Sequence, residues 1–249
     1  MDLHSRNFPQ PLPATAEAPM VRNRLLARLL RDCPSLAPAL ERRTEPTGAE
    51  LCQEGAPLDS VWFPERGVAS LVVRLRDGAM ADVRIIGNEG MAGLPAWLGL
   101  DTSPDTVLQQ ASGEAVRIDA ARFVAAVRHS GHAQRLLAGY TAYSLRAGSQ
   151  TCACNAHHDV RQRLCRWLLT AADHAGSSEL EMSQSMLAAM LGVRRQSVGE
   201  VLVEVAQAGA IAQRRGRVLL LDPPALHALA CECYDTTRTA YERLVAPLL

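Results

Sequence analysis

The segment from Met182 to Asp222 constrains the fold most, because helix, turn and hairpin signals follow one another along it. Ser183 can cap a short first helix, and Gly192 permits the tight turn that ends it. A second helix is expected from about Arg195 to about Gln207. Its apolar residues recur at the spacing that buries one helix face, at Val198, Val201, Leu202 and Val205. The stretch therefore predicts two helices joined by a glycine turn.

A β-hairpin is expected directly after the second helix. Two short strands, 210–213 and 217–222, flank an Arg-Arg-Gly turn. Five arginines and two glutamates lie between Ser183 and Arg217, which gives a local charge of +3. The whole chain has 26 basic and 26 acidic residues, so a nucleic-acid surface would have to be local. A basic hairpin beside a helix pair is suited to contact the phosphate backbone of DNA.

The second helix is suited to the DNA major groove, which is about 12 Å wide. Arg195, Gln196 and Glu200 project away from its apolar face. Arginine can bind guanine and glutamine can bind adenine through two hydrogen bonds, whereas glutamate can accept one from cytosine. We therefore expect these three residues to read base edges. An ordinary pair of helices followed by a hairpin with solvated arginines is the alternative.

The N-terminal half has a different character. Short β-prone stretches between Leu51 and Ile118 alternate with glycine turns, and eight of the 17 glycines lie there. This pattern predicts an antiparallel roll or a small barrel. A short amphipathic helix is expected before it, at 23–33. Residues 1–20 contain four prolines and lack the apolar centre of an export signal, so they are expected to be a disordered leader.

A long helix is expected from about Gly131 to about Ala156, followed by a helix that Asp159 can cap. At roughly 26 residues the first of these exceeds the usual length of helices in globular proteins. Its apolar face suggests a seam between two copies of the chain, formed by Leu136, Leu137, Tyr140, Tyr143 and Leu145. No apolar run approaches the roughly 18 residues of a membrane span, so a soluble, cytoplasmic protein is expected.

The run LGVRRQSVGEVLVEVAQAGAI, with the basic hairpin after it, resembles the DNA-binding domain of the cyclic-AMP receptor protein and fumarate-nitrate regulator (Crp/Fnr) superfamily. VWFPERGVASLV and GNEGMAGLPAWLG resemble its sensor β-roll, and ACECY resembles the tail of one branch. The resemblance implies an α+β fold with an antiparallel β-roll of the cyclic-nucleotide-binding kind, a long dimerisation helix and a C-terminal winged helix-turn-helix. The implied divisions are a leader at 1–20, a sensor domain at 21–130, a dimerisation helix at 131–157 and a DNA-binding domain at 158–249.

The function that the resemblance implies is a homodimeric transcription regulator that binds a near-palindromic operator. Its partners would be double-stranded DNA, a second copy of the chain, RNA polymerase and an effector that the sequence does not identify. No enzymatic activity, cofactor, metal or membrane partner is expected. A sensor or interaction protein whose DNA-binding domain has degenerated is the first alternative.

By position, Arg195 and Gln196 match the base-reading residues of the superfamily, and Ser197 matches a phosphate-contacting hydroxyl. Two positions depart from the pattern. Arg194 replaces the hydroxyl residue that caps the recognition helix, a loss that costs about 1 kcal/mol. Glu200 stands where the best-known members place a second base-reading arginine. The expected phosphate contacts are Ser183, Gln184, Arg194, Ser197, Arg214, Arg215 and Arg217.

The stretch that would hold a cyclic nucleotide argues against that ligand. In superfamily members an arginine binds the cyclic phosphate and a glutamate binds the ribose. Residues 90–110 contain no arginine, and Leu94 stands at the glutamate position. A buried phosphate without a cationic partner is costly to desolvate, so cyclic AMP is not expected to be the effector. All seven histidines lie outside 51–118, which argues against a metalloenzyme built on the roll.

Seven cysteines, an odd number in a chain without an export signal, are expected to be reduced thiols. Cys152, Cys154, His157 and His158 lie near the end of the long helix, where two copies across a dimer axis could supply four metal ligands. The alternative is that the cysteines pack the seam while the histidines face solvent. The two cysteines of ACECY are a separate candidate. A regulator that responds to metal or redox state is thus the second functional alternative.

Overall fold

The computed structural model describes residues 21–249, so the predicted leader at 1–20 lies outside the described residues. The predicted first helix is α1 (Arg24–Asp32), which buries three of its four leucines and is capped by Asn23. The side-chain Nδ2 of buried Asn23 also donates to the carbonyl oxygens of Pro64 and Gly90, at 2.9 and 2.8 Å. These bonds fix the start of the described chain to the sheets that follow it.

Two antiparallel sheets form the predicted roll. Their strands are β1 (Glu41–Glu45), β2 (Glu50–Cys52), β3 (Ser60–Pro64), β4 (Ala69–Arg74), β5 (Met80–Ile86), β6 (Thr106–Gln109) and β7 (Gly113–Asp119). One sheet has the strand order β1-β7-β3, and the other has the order β2-β6-β4-β5. Two short helices accompany them, α2 (Leu94–Trp97) and α3 (Ala120–Val127). Apolar side chains from both sheets share one core, so the α+β prediction with a β-rich N-terminal part is confirmed.

The long helix α4 (Gly131–His157) lies where it was predicted, but most of the predicted dimer seam packs inward. Leu136, Leu137, Tyr140 and Tyr143 are buried in the core of their own chain, and of the five predicted residues Leu145 alone is exposed. The prediction of that seam is therefore wrong. Helical periodicity identifies the face that is buried, but it does not say whether the roll of the same chain or a second copy buries it.

The exposed side of α4 carries a different stripe of small and apolar residues. Successive members are four and three residues apart in alternation, the spacing of a helix seam. They are Ala138, Ala142, Leu145, Ser149, Cys152 and Ala156. We call this the α4 stripe. Leu145 is its one large member and is 70% exposed.

The C-terminal part begins with α5 (Val160–Ala175), which Asp159 caps through a reciprocal capping box. The elements that follow α5 are β8 (Glu179–Glu181), α6 (Gln184–Leu191), α7 (Arg195–Gln207), β9 (Ile211–Arg214), β10 (Arg217–Leu220), α8 (Pro223–Leu229) and α9 (Cys233–Leu244). The three strands form a sheet of order β8-β10-β9, which packs with the helices. The hairpin of β9 and β10 matches the predicted one, while β8 was not predicted because three residues give no usable alternation.

The roll and the C-terminal part are packed against each other through β5. Trp167 of α5 is fully buried, and its Nε1 donates to Asp82 Oδ2 at 3.2 Å. His174 Nδ1, also on α5, lies 3.3 Å from Glu89 Oε2 in the loop after β5. Four apolar residues of the roll join the C-terminal core, at Val68, Val72, Ile85 and Leu108. We call this contact region the junction.

The last helix, α9, turns back along α4 and away from the rest of the C-terminal part. The rings of Tyr241 and Tyr143 meet edge to face with centroids 5.2 Å apart. A Cβ atom at Gly139 would lie 2.4 Å from the carbonyl oxygen of Leu244, so only glycine permits this approach. Across residues 21–249, none of the helices combines the length and the hydrophobicity that a membrane span requires.

Candidate nucleic-acid interface

Helices α6 and α7 form the predicted helix pair. Ser183 Oγ accepts from the backbone nitrogen of Met186 at 3.1 Å, and Gly192 ends α6 at φ +62°. Helix α7 begins at Arg195, and Arg194 at its cap position makes no capping bond, as the sequence predicted. The buried residues of α7 hold it to the core and are Val198, Leu202 and Val205. The opposite face of α7 is therefore exposed.

The three predicted base-reading residues lie on that exposed face. Arg195, Gln196 and Glu200 are all exposed. Gln196 Nε2 donates to Glu200 Oε1 at 3.0 Å, one helical turn away. This bond orients the amide of Gln196 and occupies one oxygen of Glu200. Glu200 is therefore able to position Gln196. Its residue type alone had suggested only that it reads a base edge.

The first turns of α6 and α7 meet the hairpin around a shallow depression of about 290 Å³. Ser183, Gln184 and Arg195 line one side of it, and the hairpin arginines Arg214 and Arg215 line the other. Within residues 21–249, no carboxylate forms an ion pair with any of these three arginines. The depression is thus bordered by uncompensated positive charge and by hydroxyl and amide groups.

Arg217 differs from the other hairpin arginines. Its guanidinium pairs with Glu179 at 2.9 Å and with Glu181 at 2.7 Å. The hydrogen bond to Glu179 and the charges of both carboxylates raise the pKa of Arg217. Its charge is compensated within the chain, where it joins β10 to β8. The structure therefore gives Arg217 a partner other than the expected phosphate.

The remaining predicted phosphate contacts border the same surface. Arg194 is exposed, whereas Ser197 and Gln184 are half-buried. Gln184 Nε2 lies 3.5 Å from Gln213 Oε1, which links the start of α6 to β9. The sequence-predicted residues are thus brought to one side of the C-terminal part.

This arrangement matches known proteins. Residues 162–229 match the family model of the Crp-like helix-turn-helix domain. The chain has the Crp/Fnr fold. FixK2 from Bradyrhizobium japonicum aligns with a TM-score of 0.66 and 16% identity, covering 77% of this chain and 98% of FixK2.

A CRP-family transcriptional regulator from Thermus thermophilus aligns with a TM-score of 0.63 and 22% identity, over 76% of this chain and 96% of that one. The c-di-GMP-responsive regulator CLP from Xanthomonas campestris aligns with a TM-score of 0.58 and 20% identity, over 79% and 97%. No curated protein sequence matches the chain significantly. These likenesses establish the fold, and the chemistry of the chain has to be argued from its own residues.

The roll of this Crp/Fnr fold contains a cavity of about 500 Å³ between the β2-β6-β4-β5 sheet and α4. Such a volume suits a small molecule. Most of the lining is apolar, and it includes Leu71, Ile86, Met91, Leu94 and Val107. The cavity opens beside Leu145 of the α4 stripe.

One arginine does reach this cavity, from β5 and outside the stretch that the sequence argument considered. Arg84 is buried, and its Nη1 donates to the hydroxyl of Tyr140 at 2.9 Å. Its guanidinium carbon also lies 5.2 Å from the centroid of the Tyr140 ring, close enough for a cation–π contact. Arg84 is thus engaged by α4, and the cavity wall remains mainly apolar.

The predicted metal candidates at the end of α4 separate into two groups. Cys154 and His158 face inward and meet Cys231 and Cys233, the two cysteines of ACECY. Cys152 and His157 are exposed and lie outside this group. Sequence reasoning treated the two candidates apart, because they are some 75 residues from each other and only the return of α9 to α4 joins them.

Proposed function

We propose that this protein is a homodimeric transcription regulator that binds a specific DNA operator. The observation that carries the proposal is the depression between α6, α7 and the hairpin, where Arg195, Arg214 and Arg215 have no carboxylate partner in the described chain. Exposed arginines without internal partners, beside the start of a helix, are suited to an external polyanion. A Crp-like helix-turn-helix domain in the same residues supports this.

Base reading is assigned to the first turn of α7. Arg195 is assigned to the two acceptors of guanine, and Gln196 is assigned to adenine. Glu200 holds the Gln196 amide through their 3.0 Å hydrogen bond and so selects its orientation. Phosphate contacts are assigned to the residues around this turn, at Ser183, Gln184, Arg194, Ser197, Arg214 and Arg215. Arg217 is left out, because Glu179 and Glu181 compensate its charge.

Dimerisation is assigned to the α4 stripe. Its alanines, serine and cysteine are small enough for two helices to approach closely, and Leu145 would bury its exposed side chain against the partner helix. Exposed Leu98 and Leu100 lie beside Leu145 at the mouth of the roll cavity, so a second copy would cover them too. A twofold dimer presents two α7 helices to half-sites about 34 Å apart, which predicts a near-palindromic operator.

The roll cavity is assigned to an effector of mainly apolar character. Its lining offers few polar groups, and Arg84 is bound to Tyr140. A ligand there would touch both β5 and α4, which contact the C-terminal part. Binding could therefore change how the DNA-binding helices are held. RNA polymerase is a further partner of this proposal when the regulator activates.

Selection of bound DNA tests the proposal directly. Purified full-length protein is mixed with random-sequence duplexes, and the bound pool is sequenced over several rounds. We expect a near-palindromic sequence to be enriched, with the two halves one helical turn apart. A pool that stays as diverse as the input would instead support the alternative of a degenerate DNA-binding domain.

Sedimentation tests the dimer separately. Leu145→Glu places a charge in the α4 stripe and should yield monomers, because a desolvated carboxylate opposes association. Arg146→Glu, on the next residue and outside the stripe, is the matched control and should remain dimeric. Equal behaviour of the two variants would rule out this seam.

A further inference from the structure

Four metal-ligand side chains from two distant segments converge in one chain. Cys154 lies in the last turn of α4, and His158 follows the helix directly. Cys231 lies between α8 and α9, and Cys233 begins α9. The three sulfur atoms and the imidazole nitrogen all lie within 4.8 Å of one another. The three cysteines are free thiols buried together as a small cluster.

Two of the six distances within the cluster match those between the ligands of a tetrahedral zinc site. Cys154 Sγ lies 3.5 Å from Cys231 Sγ, and Cys233 Sγ lies 3.5 Å from His158 Nδ1. With Zn–S bonds of about 2.3 Å and Zn–N bonds of about 2.0 Å, the edges of such a tetrahedron are about 3.5 to 3.8 Å long. A disulfide requires the sulfur atoms to be about 2.05 Å apart. The cluster therefore has the spacing of ligands around a shared ion.

Neighbouring polar groups contact these ligands and orient them, as the residues that surround a metal site do. His158 turns Nδ1 to Cys233, while its Nε2 lies 3.3 Å from Glu232 Oε2. A carboxylate on the far nitrogen fixes the tautomer and orientation of a metal-binding histidine. Gln150 Nε2 donates to Cys233 Sγ at 2.9 Å, which would stabilise a thiolate there.

Positive charge also faces the cluster. Buried Arg166 interacts electrostatically with Cys154. Arg163 interacts electrostatically with Cys154 and Cys231. Three thiolates around a divalent cation leave a net charge of −1, which these two arginines would compensate.

We propose that Cys154, His158, Cys231 and Cys233 bind one Zn²⁺ ion within each protomer. Three cysteines and one histidine form a closed, four-coordinate set, which is typical of structural rather than catalytic zinc. The site differs from the arrangement expected from the sequence, because one chain supplies every ligand and Cys152 and His157 take no part. The bound ion would link the end of α4 to the start of α9. It would thereby hold the short connection between α4 and α5 in place.

Metal analysis of the full-length protein tests the proposal. Protein purified under reducing conditions should contain about one zinc per chain. After removal of zinc with a chelator, titration with Co²⁺ should give the visible absorption of a tetrahedral, thiolate-bound cobalt ion and saturate at one equivalent. Zinc below a tenth of an equivalent together with no cobalt absorption would overturn the proposal, and iron in place of zinc would overturn the assignment of the ion.

Paired variants locate the ligands. Cys233→Ser and His158→Ala should lower zinc retention and shift or abolish the cobalt spectrum, whereas Cys152→Ser and His157→Ala, their exposed neighbours, should leave both unchanged. Circular dichroism shows which variants fold. If Cys233→Ser does not fold, the cobalt titration of the unsubstituted chain decides whether the site binds a metal. Equal loss in the ligand and control variants would overturn the assignment. The outcome is independent of the DNA selection, which can succeed with or without a metal.

Discussion

The surface formed by α6, α7 and the hairpin differs from the junction in how its charged groups are arranged. On the surface, Arg195, Arg214 and Arg215 are exposed and have no carboxylate partner in the described chain. At the junction, charged groups such as Asp82 and Glu89 are buried and face partners more than 80 residues away. The first region leaves its charges exposed to an outside partner, and the second buries them against groups of the same chain. Exposed charge without a partner therefore indicates a surface that binds another molecule. Buried charge indicates a contact between the two parts of the chain.

The junction satisfies its charges incompletely. Asp82 accepts from Trp167, but its other carboxylate oxygen has no hydrogen-bond partner among the described residues, and neither does Nε of buried Arg166. Burial raises the pKa of Asp82 to about 6, against the lowering effect of Arg166. Such groups are costly to desolvate. The junction is thus held mainly by apolar packing around Trp167 and is opposed by its own buried charges.

The largest expected effect comes from removing the packing of the junction. Trp167→Ala should lower the free energy of unfolding by about 3 to 5 kcal/mol, because a fully buried ring is replaced by a cavity. Urea unfolding followed by circular dichroism measures this. Arg215→Ala on the other region should stay within about 0.5 kcal/mol of the unsubstituted protein. A loss below about 1 kcal/mol for Trp167→Ala would show that the packing does not hold the two parts together.

The next effect concerns the charge buried at the junction. Because the folded pKa of Asp82, about 6, is above its unfolded value of 3.8, its contribution to stability is present at low pH and is lost as pH rises from 3.8 through 6. Between pH 4 and pH 7, the unfolding free energy of the unsubstituted protein should fall relative to Asp82→Asn. A shift of about two units corresponds to about 3 kcal/mol. Unfolding curves of both proteins at several pH values measure it, and a constant difference between them would contradict the expectation.

On the surface formed by α6, α7 and the hairpin, the proposed base reading predicts a loss of affinity that is restricted to the operator. Arg195→Ala should cost about 1 to 3 kcal/mol on the selected operator and relax the preference at one base pair in each half-site. Random DNA should be bound nearly as before. Competition binding with both DNA pools measures the difference. Equal weakening on the two would make Arg195 a phosphate contact.

The hairpin predicts the converse result. Arg215→Ala should weaken binding to operator and random DNA alike, because phosphates are the same in every sequence. The slope of log affinity against log salt should become shallower by roughly one unit for each lost phosphate contact. Titrations at several salt concentrations measure this slope. An unchanged slope would remove Arg215 from the phosphate contacts.

The smallest expected effect is that of cyclic AMP. At about 1 mM the nucleotide should give no measurable binding heat and no change in DNA affinity, because the described residues that line the cavity offer the phosphate no free cationic partner. Arg84 would have to leave Tyr140 to supply one. Calorimetry that shows a dissociation constant in the micromolar range would refute this.

The sequence was most informative where function depends on consecutive residues. Periodic valines and a glycine turn predicted α7 from Arg195 to Gln207, and the structure has the same bounds. Antiparallel strands in the N-terminal half were also predicted. Local spacing decides both of these features, because helix and hairpin signals act over a few residues.

Features that depend on tertiary contacts were missed or wrongly interpreted. Leu137 and Tyr140 fit a seam between copies, but the roll of their own chain covers them. The pairing of Gln196 with Glu200 becomes visible only once both side chains are placed. Cys154 and Cys233 are brought together by the return of α9 to α4, which no periodicity in the sequence predicts.

The return of α9 to α4 also limits how the DNA-binding helices can move. Residues 160–229 are attached to α4 at both of their ends, through Asp159 at the start and through α9 at the finish. Both attachments lie at the C-terminal end of α4, because Cys231 and Cys233 lie beside Cys154 and His158. The close approach of Leu244 to Gly139 holds the other end of α9 along α4. Reorientation of α7 should therefore pivot about the C-terminal end of α4, while α9 stays packed against that helix.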